Sequence, residues 1–71
     1  MDELSFGERL TLIRRRRNMT QGQLAALIGV AQSEIHRLEI GLTKDPHMSR
    51  VIALAQALQV TTDWLVGLSM D

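Results

Sequence analysis

Gln32, Ser33, His36 and Arg37 bring four hydrogen-bonding side chains into six residues. Glutamine can pair bidentately with an adenine edge, serine can donate or accept at several bases, and arginine suits guanine or a phosphate. For His36, base contact, phosphate contact and simple exposure all remain open. A second chemistry belongs to Arg9 and the run Arg14-Arg15-Arg16-Arg17, which supply five of the eight cations. Four consecutive arginines on a helix point to all of its sides. They read either as a solvated helix end, favoured by the C-terminal dipole, or as a phosphate-facing patch. Catalysis finds no support: the acids are scattered, and neither a supported Ser-His-Asp arrangement nor a glycine-rich phosphate loop is present. Cysteine is absent and His47 is the only companion of His36, so no metal and no cofactor is expected.

These residues must be positioned by short helices, because the apolar spacing is helical throughout and no alternating strand pattern persists. Phe6, Leu10 and Ile13 predict a first helix from about Ser5 to Arg17, with Ser5 as N-cap and Glu8 completing a capping box. Thr20 caps a second helix whose stripe is Leu24, Leu27 and Ile28, ending at Gly29. That helix carries Gly22, which costs about 1 kcal/mol relative to alanine, and must be held by packing. Ile35 and Leu38 mark a third helix, Gln32 to Ile40, whose start at Ala31 lacks a capping side chain. Residues 42–47 form a loop containing Pro46. A fourth helix starts near His47 or Ser49, with Met48, Val51, Ile52, Ala55 and Leu58 as its apolar face and Leu54 off that stripe. After a break at Gln59-Val60, Thr61 or Thr62 caps a last helix with Trp64, Leu65 and Leu68.

At 71 residues the chain has room for one small domain. The expectation is a single all-α domain over residues 1–71, with helices 4 and 5 at about 48–67. A core of this size is marginal, which favours a partner subunit. No segment approaches the 18 apolar residues of a membrane span, and the acidic N-terminus lacks the apolar core of a secretory signal. The default expectation is therefore the cytosol, with no membrane partner. Eight basic residues balance eight acidic ones, so the formal net charge is zero. At face value that argues against coating nucleic acid by bulk charge.

Residues 20–41 carry the functional signal. Two short helices flank a turn at Gly29. Ala25 is small enough for the helix axes to approach, and the glycine admits a left-handed backbone. Leu24, Val30, Ile35 and Leu38 bury the shared face. The second of the two helices is then left projecting, able to enter a major groove.

The string Thr20-Gln21-x-x-Leu24-Ala25-x-x-x-Gly29-Val30-x-x-x-x-Ile35-x-x-x-Glu39-x-Gly41 resembles the helix-turn-helix of Cro/CI-like (lambda-repressor-like, XRE-type) regulators. Pro46, Leu54-Ala55-x-Ala57-Leu58-x-Val60 and Asp63-Trp64-Leu65 extend the resemblance over about Phe6 to Gly67. It implies a compact five-helix lambda-repressor-like DNA-binding domain. It also implies that the start of helix 3 faces base edges, with Gln32, Ser33, His36 and Arg37 as the contacts. Gln21, Thr43 and Lys44 match phosphate-contacting positions, and free amides at a helix N-terminus supply the attraction. Leu42 and Asp45 depart from the more basic members of the family, and Arg16 and Arg17 are expected to compensate near the N-terminus of helix 2. Arg15 is expected to be solvated. Arg14 and Glu39 match a mostly buried structural salt bridge, which removes Arg14 from the DNA-contact set. Glu34 could accept from cytosine but is expected to turn sideways and stabilise its own helix. Trp64 is expected in the core.

The resulting expectation is a sequence-specific transcriptional regulator, a repressor, that binds palindromic double-stranded DNA as a homodimer in the cytoplasm, on the nucleoid. Pairing is expected through a C-terminal surface containing Leu54, Val66 and Leu68. The competing class is a protein-interaction module, either an adaptor or the antitoxin of a toxin–antitoxin pair, with a protein partner. The acids Asp2, Glu3, Asp63 and Asp71 fall in terminal segments away from the groove. The cations left toward DNA are then Arg16, Arg17, Arg37 and Lys44, opposed by Glu34 and Asp45, which predicts weak non-specific binding.

Overall fold

Three of the helices start on a side-chain cap. The structure, a computed structural model, describes residues 3–68. Its helices are α1 (Phe6–Arg16), α2 (Gln21–Ile28), α3 (Gln32–Glu39), α4 (Met48–Leu58) and α5 (Thr62–Val66), with no strand among the described residues. Ser5 and Glu8 form the reciprocal capping box: the Glu8 amide donates to Ser5 Oγ at 3.1 Å, and the Ser5 amide donates to Glu8 Oε1 at 2.8 Å. A second box, between Thr20 and Gln23, opens α2. Thr61 caps α5 by accepting from the Trp64 amide. Ala31 offers α3 no side-chain cap. Asn18 (φ 58°) and Gln59 (φ 60°) stop α1 and α4 in the left-handed region. Asp2 and Asp71, read above as terminal acids, lie outside the described residues.

The core is aliphatic. Leu10, Leu24, Ile35, Leu38, Leu54, Leu58 and Leu65 are fully buried, with Ile13, Ala25, Val51 and Ala55 beside them. α3 packs on both α1 and α2, α4 closes on α2, and α5 joins α4 back to α1. Trp64 packs partly buried against this core, as expected of it.

Three apolar expectations are corrected. In α4 the buried face is Val51, Leu54, Ala55 and Leu58, whereas Met48 and Ile52 are exposed. The helix is apolar around most of its circumference, so two stripes fit a 3.6-residue period. Packing against α2 and α5 selects the one through Leu54, which also removes Leu54 from the proposed pairing surface. In α2, Leu27 is 58% exposed and only Leu24 and Ala25 are fully inside. Leu68 lies beyond the end of α5 and is exposed.

Two α1 residues outside the apolar pattern fix its neighbours. Arg9 is buried: its Nη1 donates to the Trp64 carbonyl at 3.1 Å, and its guanidinium stacks 5.1 Å from the indole centroid. It therefore ties α1 to α5 and does not belong to a surface patch. Gly7 lies against the end of α3, where a Cβ would stand 2.4 Å from the Glu39 carbonyl oxygen and 2.5 Å from that of Leu38. Backbone cannot move aside as a side-chain tip can, so α1 and α3 meet this closely only because residue 7 has no side chain. Gly7→Ala should destabilise the fold by about 2–3 kcal/mol despite alanine's better helix propensity. Urea unfolding checks this, and an unchanged midpoint would contradict the packing argument.

Candidate nucleic-acid interface

The turn between α2 and α3 sets the geometry of the polar face. Gly29 adopts φ 77°, and the Val30 amide donates to the Ala25 carbonyl at 2.9 Å, closing the end of α2. Ala25 is buried at the crossing of the two helices, so α3 approaches closely. α3 turns Ile35 and Leu38 inward and leaves Gln32, Ser33, His36 and Arg37 exposed. Positions i, i+1, i+4 and i+5 share one helix face, so these four residues form a single outward surface. Gln32 also leans over the first turn of α2, with its Oε1 3.8 Å from where a Cβ on Gly22 would stand. The start of α3 and the N-terminus of α2 thus present neighbouring polar surfaces.

Beneath that surface lies an ion pair. Arg14 Nε donates to Glu39 Oε2 at 2.6 Å and Nη2 donates to Oε1 at 3.0 Å, a bidentate fork, while Nη1 donates to the Met19 carbonyl at 2.8 Å. Both side chains are mostly buried, at 10% and 4% exposure. Gln21 Nε2 adds a third donor to the same carboxylate, 3.0 Å from Oε1. Burial pushes the Glu39 carboxyl up. The hydrogen bonds from Arg14 and Gln21 and the Arg14 charge outweigh it and hold the group below the ordinary carboxylate range. The half-buried Gln21 is thus held to Glu39 from the first turn of α2, an arrangement that sequence spacing did not suggest.

The remaining candidates are placed unevenly. Thr43 is half-buried, and its amide donates to the Arg37 carbonyl at 3.3 Å, while Lys44 is exposed on the same loop. Arg15 and Arg16 are exposed at the end of α1. Arg17 corrects the expectation that put it beside the N-terminus of α2. Its Nε donates to the Leu58 carbonyl at 2.8 Å and its Nη2 to that of Gln59 at 3.4 Å, so it caps α4. The last carbonyls of a helix lack intrahelical donors and attract a cation. No local signal could have revealed this contact, because the partners lie 41 residues apart. Glu34 turns sideways to α4, where it pairs with Arg50, a cation absent from the sequence reading of the site.

Five helices with a helix-turn-helix at α2–α3 and an exposed polar face on α3 define an all-α helix-turn-helix domain. The helix-turn-helix family model matches residues 10–65, and the chain belongs to this family, in its Cro/CI-like branch. It is 37% identical over 62 residues to the HTH-type transcriptional repressor RghR of Bacillus subtilis (strain 168), covering 87% of this chain and 46% of that protein. The chain spans about half the length of the curated relatives it matches. Among solved structures, the P22 c2 repressor in complex with a synthetic operator superposes with a TM-score of 0.86 at 28% identity, over 94% of this chain and all of that one. The biofilm regulator SinR in complex with DNA gives 0.81 at 25% identity, over 84% and 95% of the two chains. The lambda-repressor-like fold expected from the sequence is thus the fold observed.

Removing one partner of the buried pair leaves the other charge uncompensated, at a cost of typically about 3–5 kcal/mol. Glu39→Ala should therefore leave the chain largely unfolded at 25 °C by circular dichroism, and an unchanged thermal midpoint would refute the role of the pair. Because the folded-state pKa of Glu39 is lowered, its contribution is present above the ordinary carboxylate range and is lost as pH falls through the folded value. Relative to an Arg14→Met/Glu39→Gln double variant, which leaves no buried charge unpaired, the wild-type thermal midpoint should fall more steeply as pH drops below the ordinary carboxylate range. Parallel acid limbs in the two proteins would count against this.

Proposed function

We propose that the chain is the DNA-binding part of a transcriptional regulator that recognises a specific double-stranded operator as a homodimer and represses from it. The observation that carries this reading is the exposed row Gln32, Ser33, His36 and Arg37 on α3. The row is held clear of the core and stands next to the N-terminus of α2. α3 enters the major groove, and these four side chains meet base edges. Thr43, Lys44 and Arg16 face phosphates at its borders, and Gln21, its side chain held to Glu39, offers a phosphate the free amides at the start of α2. The membership in the helix-turn-helix family, the likeness to a repressor solved on its operator and the relative named as a repressor support the same reading. That family is a DNA-binding regulator fold rather than an enzyme family. Two copies read half-sites about 34 Å apart, one helical turn of DNA. They pair through the apolar surface around the exposed Val66 and Leu68.

Selection from random DNA should enrich a site with two-fold symmetry. Gln32→Ala should then cost about 1–3 kcal/mol of binding, confined to particular base positions, with the thermal midpoint retained. Failure to enrich any site would refute the reading. Raising salt should weaken binding steeply through the phosphate contacts. Sedimentation is expected to show two protomers per site, and a monomer at tens of micromolar both free and on DNA would remove the dimer.

A further inference from the structure

Glu34 stands out on the proposed reading helix. It is the third residue of α3, directly after Gln32 and Ser33, where polyanionic DNA would approach. A carboxylate there is favoured by the helix dipole but repelled by phosphates. The structure resolves the conflict with Arg50, the third residue of α4, whose Nε donates to Glu34 Oε2. The pair is about one-third exposed on each side. It spans the loop between the two helices and borders a cleft of about 190 Å³ that Thr43, Asp45, Pro46 and His47 also line. Arg50 itself sits on α4, not on the reading helix.

We propose that Arg50 is a positioning residue for DNA recognition: its pairing with Glu34 holds that carboxylate against α4 and neutralises it at the edge of the reading face. The inference rests on the DNA-binding reading above. Without Arg50, the Glu34 charge is uncompensated and free to swing toward the phosphates. Such repulsion, acting across solvent and partly screened by salt, is expected to weaken binding several-fold per subunit. The pair is exposed enough to contribute little to folding, so its effect is on binding.

The test measures affinity for the selected site at fixed salt, for wild type, Arg50→Met, Arg50→Lys, Glu34→Gln and the Glu34→Gln/Arg50→Met double variant, each checked for folding by circular dichroism. Arg50→Gln replaces Arg50→Met if the latter melts below the assay temperature. Arg50→Met should bind several-fold more weakly per subunit, and Arg50→Lys should stay within about twofold of wild type. Glu34→Gln should bind at least as tightly as wild type, because Arg50 is then an uncompensated cation, and the double variant should stay within about twofold of wild type, because the site is again neutral. A double variant that binds as weakly as Arg50→Met would show that Arg50 touches DNA itself and overturn the proposal, as would no loss in Arg50→Met. Wild type binding no site would refute the DNA-binding reading and this inference with it, whereas wild type binding without coupling between the two residues refutes only the inference.

Discussion

The arrangement of the first three helices depends on the buried Glu39 carboxylate. Arg14 reaches it from α1 with a bidentate fork, and Gln21 reaches it from the first turn of α2, while Glu39 is itself the last residue of α3. One acidic group thus accepts from both other helices of the three that frame the polar face. A buried ion pair is a poor source of net stability, because desolvation offsets much of the attraction. Its directional hydrogen bonds set orientation instead, in a region where aliphatic packing alone tolerates sliding. Gly7 complements it by letting the α1 backbone rest on the Glu39 and Leu38 carbonyls.

Half of the cations in this chain of zero net charge are committed to the fold. Arg9 binds the Trp64 carbonyl and ring, Arg14 binds Glu39, Arg17 caps α4 and Arg50 binds Glu34. Each joins two helices or the two ends of a connection. Arg15, Arg16, Arg37 and Lys44 are left exposed. The run of four arginines is therefore neither a solvated end nor a phosphate patch as a whole. Arg14 and Arg17 serve the fold, and Arg15 and Arg16 face solvent. Arg14 points inward, whereas the exposed Arg17, just past the end of α1, reaches across to the last carbonyls of α4.

None of the five helices exceeds 11 residues, and helices this short do not persist alone in water. Side-chain caps fix where α1, α2 and α5 begin, and burial of the leucines at the helix crossings holds all of them. The polar face of α3 is anchored from below by the buried Ile35 and Leu38, and the capped α2 lies beside it. Recognition by direct contact needs such a platform, because side chains placed on a mobile segment would lose much of their binding free energy to ordering.

The sequence by itself determined the features that depend on near neighbours. Helix starts at Ser5 and Thr20, the turn at Gly29, the outward row on α3 and the uncapped Ala31 all follow from interactions within four or five residues. The resemblance also carried the Arg14–Glu39 pairing, across 25 residues. Only the tertiary structure decided which of two apolar stripes α4 buries, that Leu27 is exposed and that Gly7 is a contact point. It alone also assigned Arg9, Arg17 and Arg50 to Trp64, α4 and Glu34. The reason is common to all of these. Each depends on which element arrives across the core from a distant part of the chain, and an apolar stripe or an arginine is compatible with several arrivals until packing selects one.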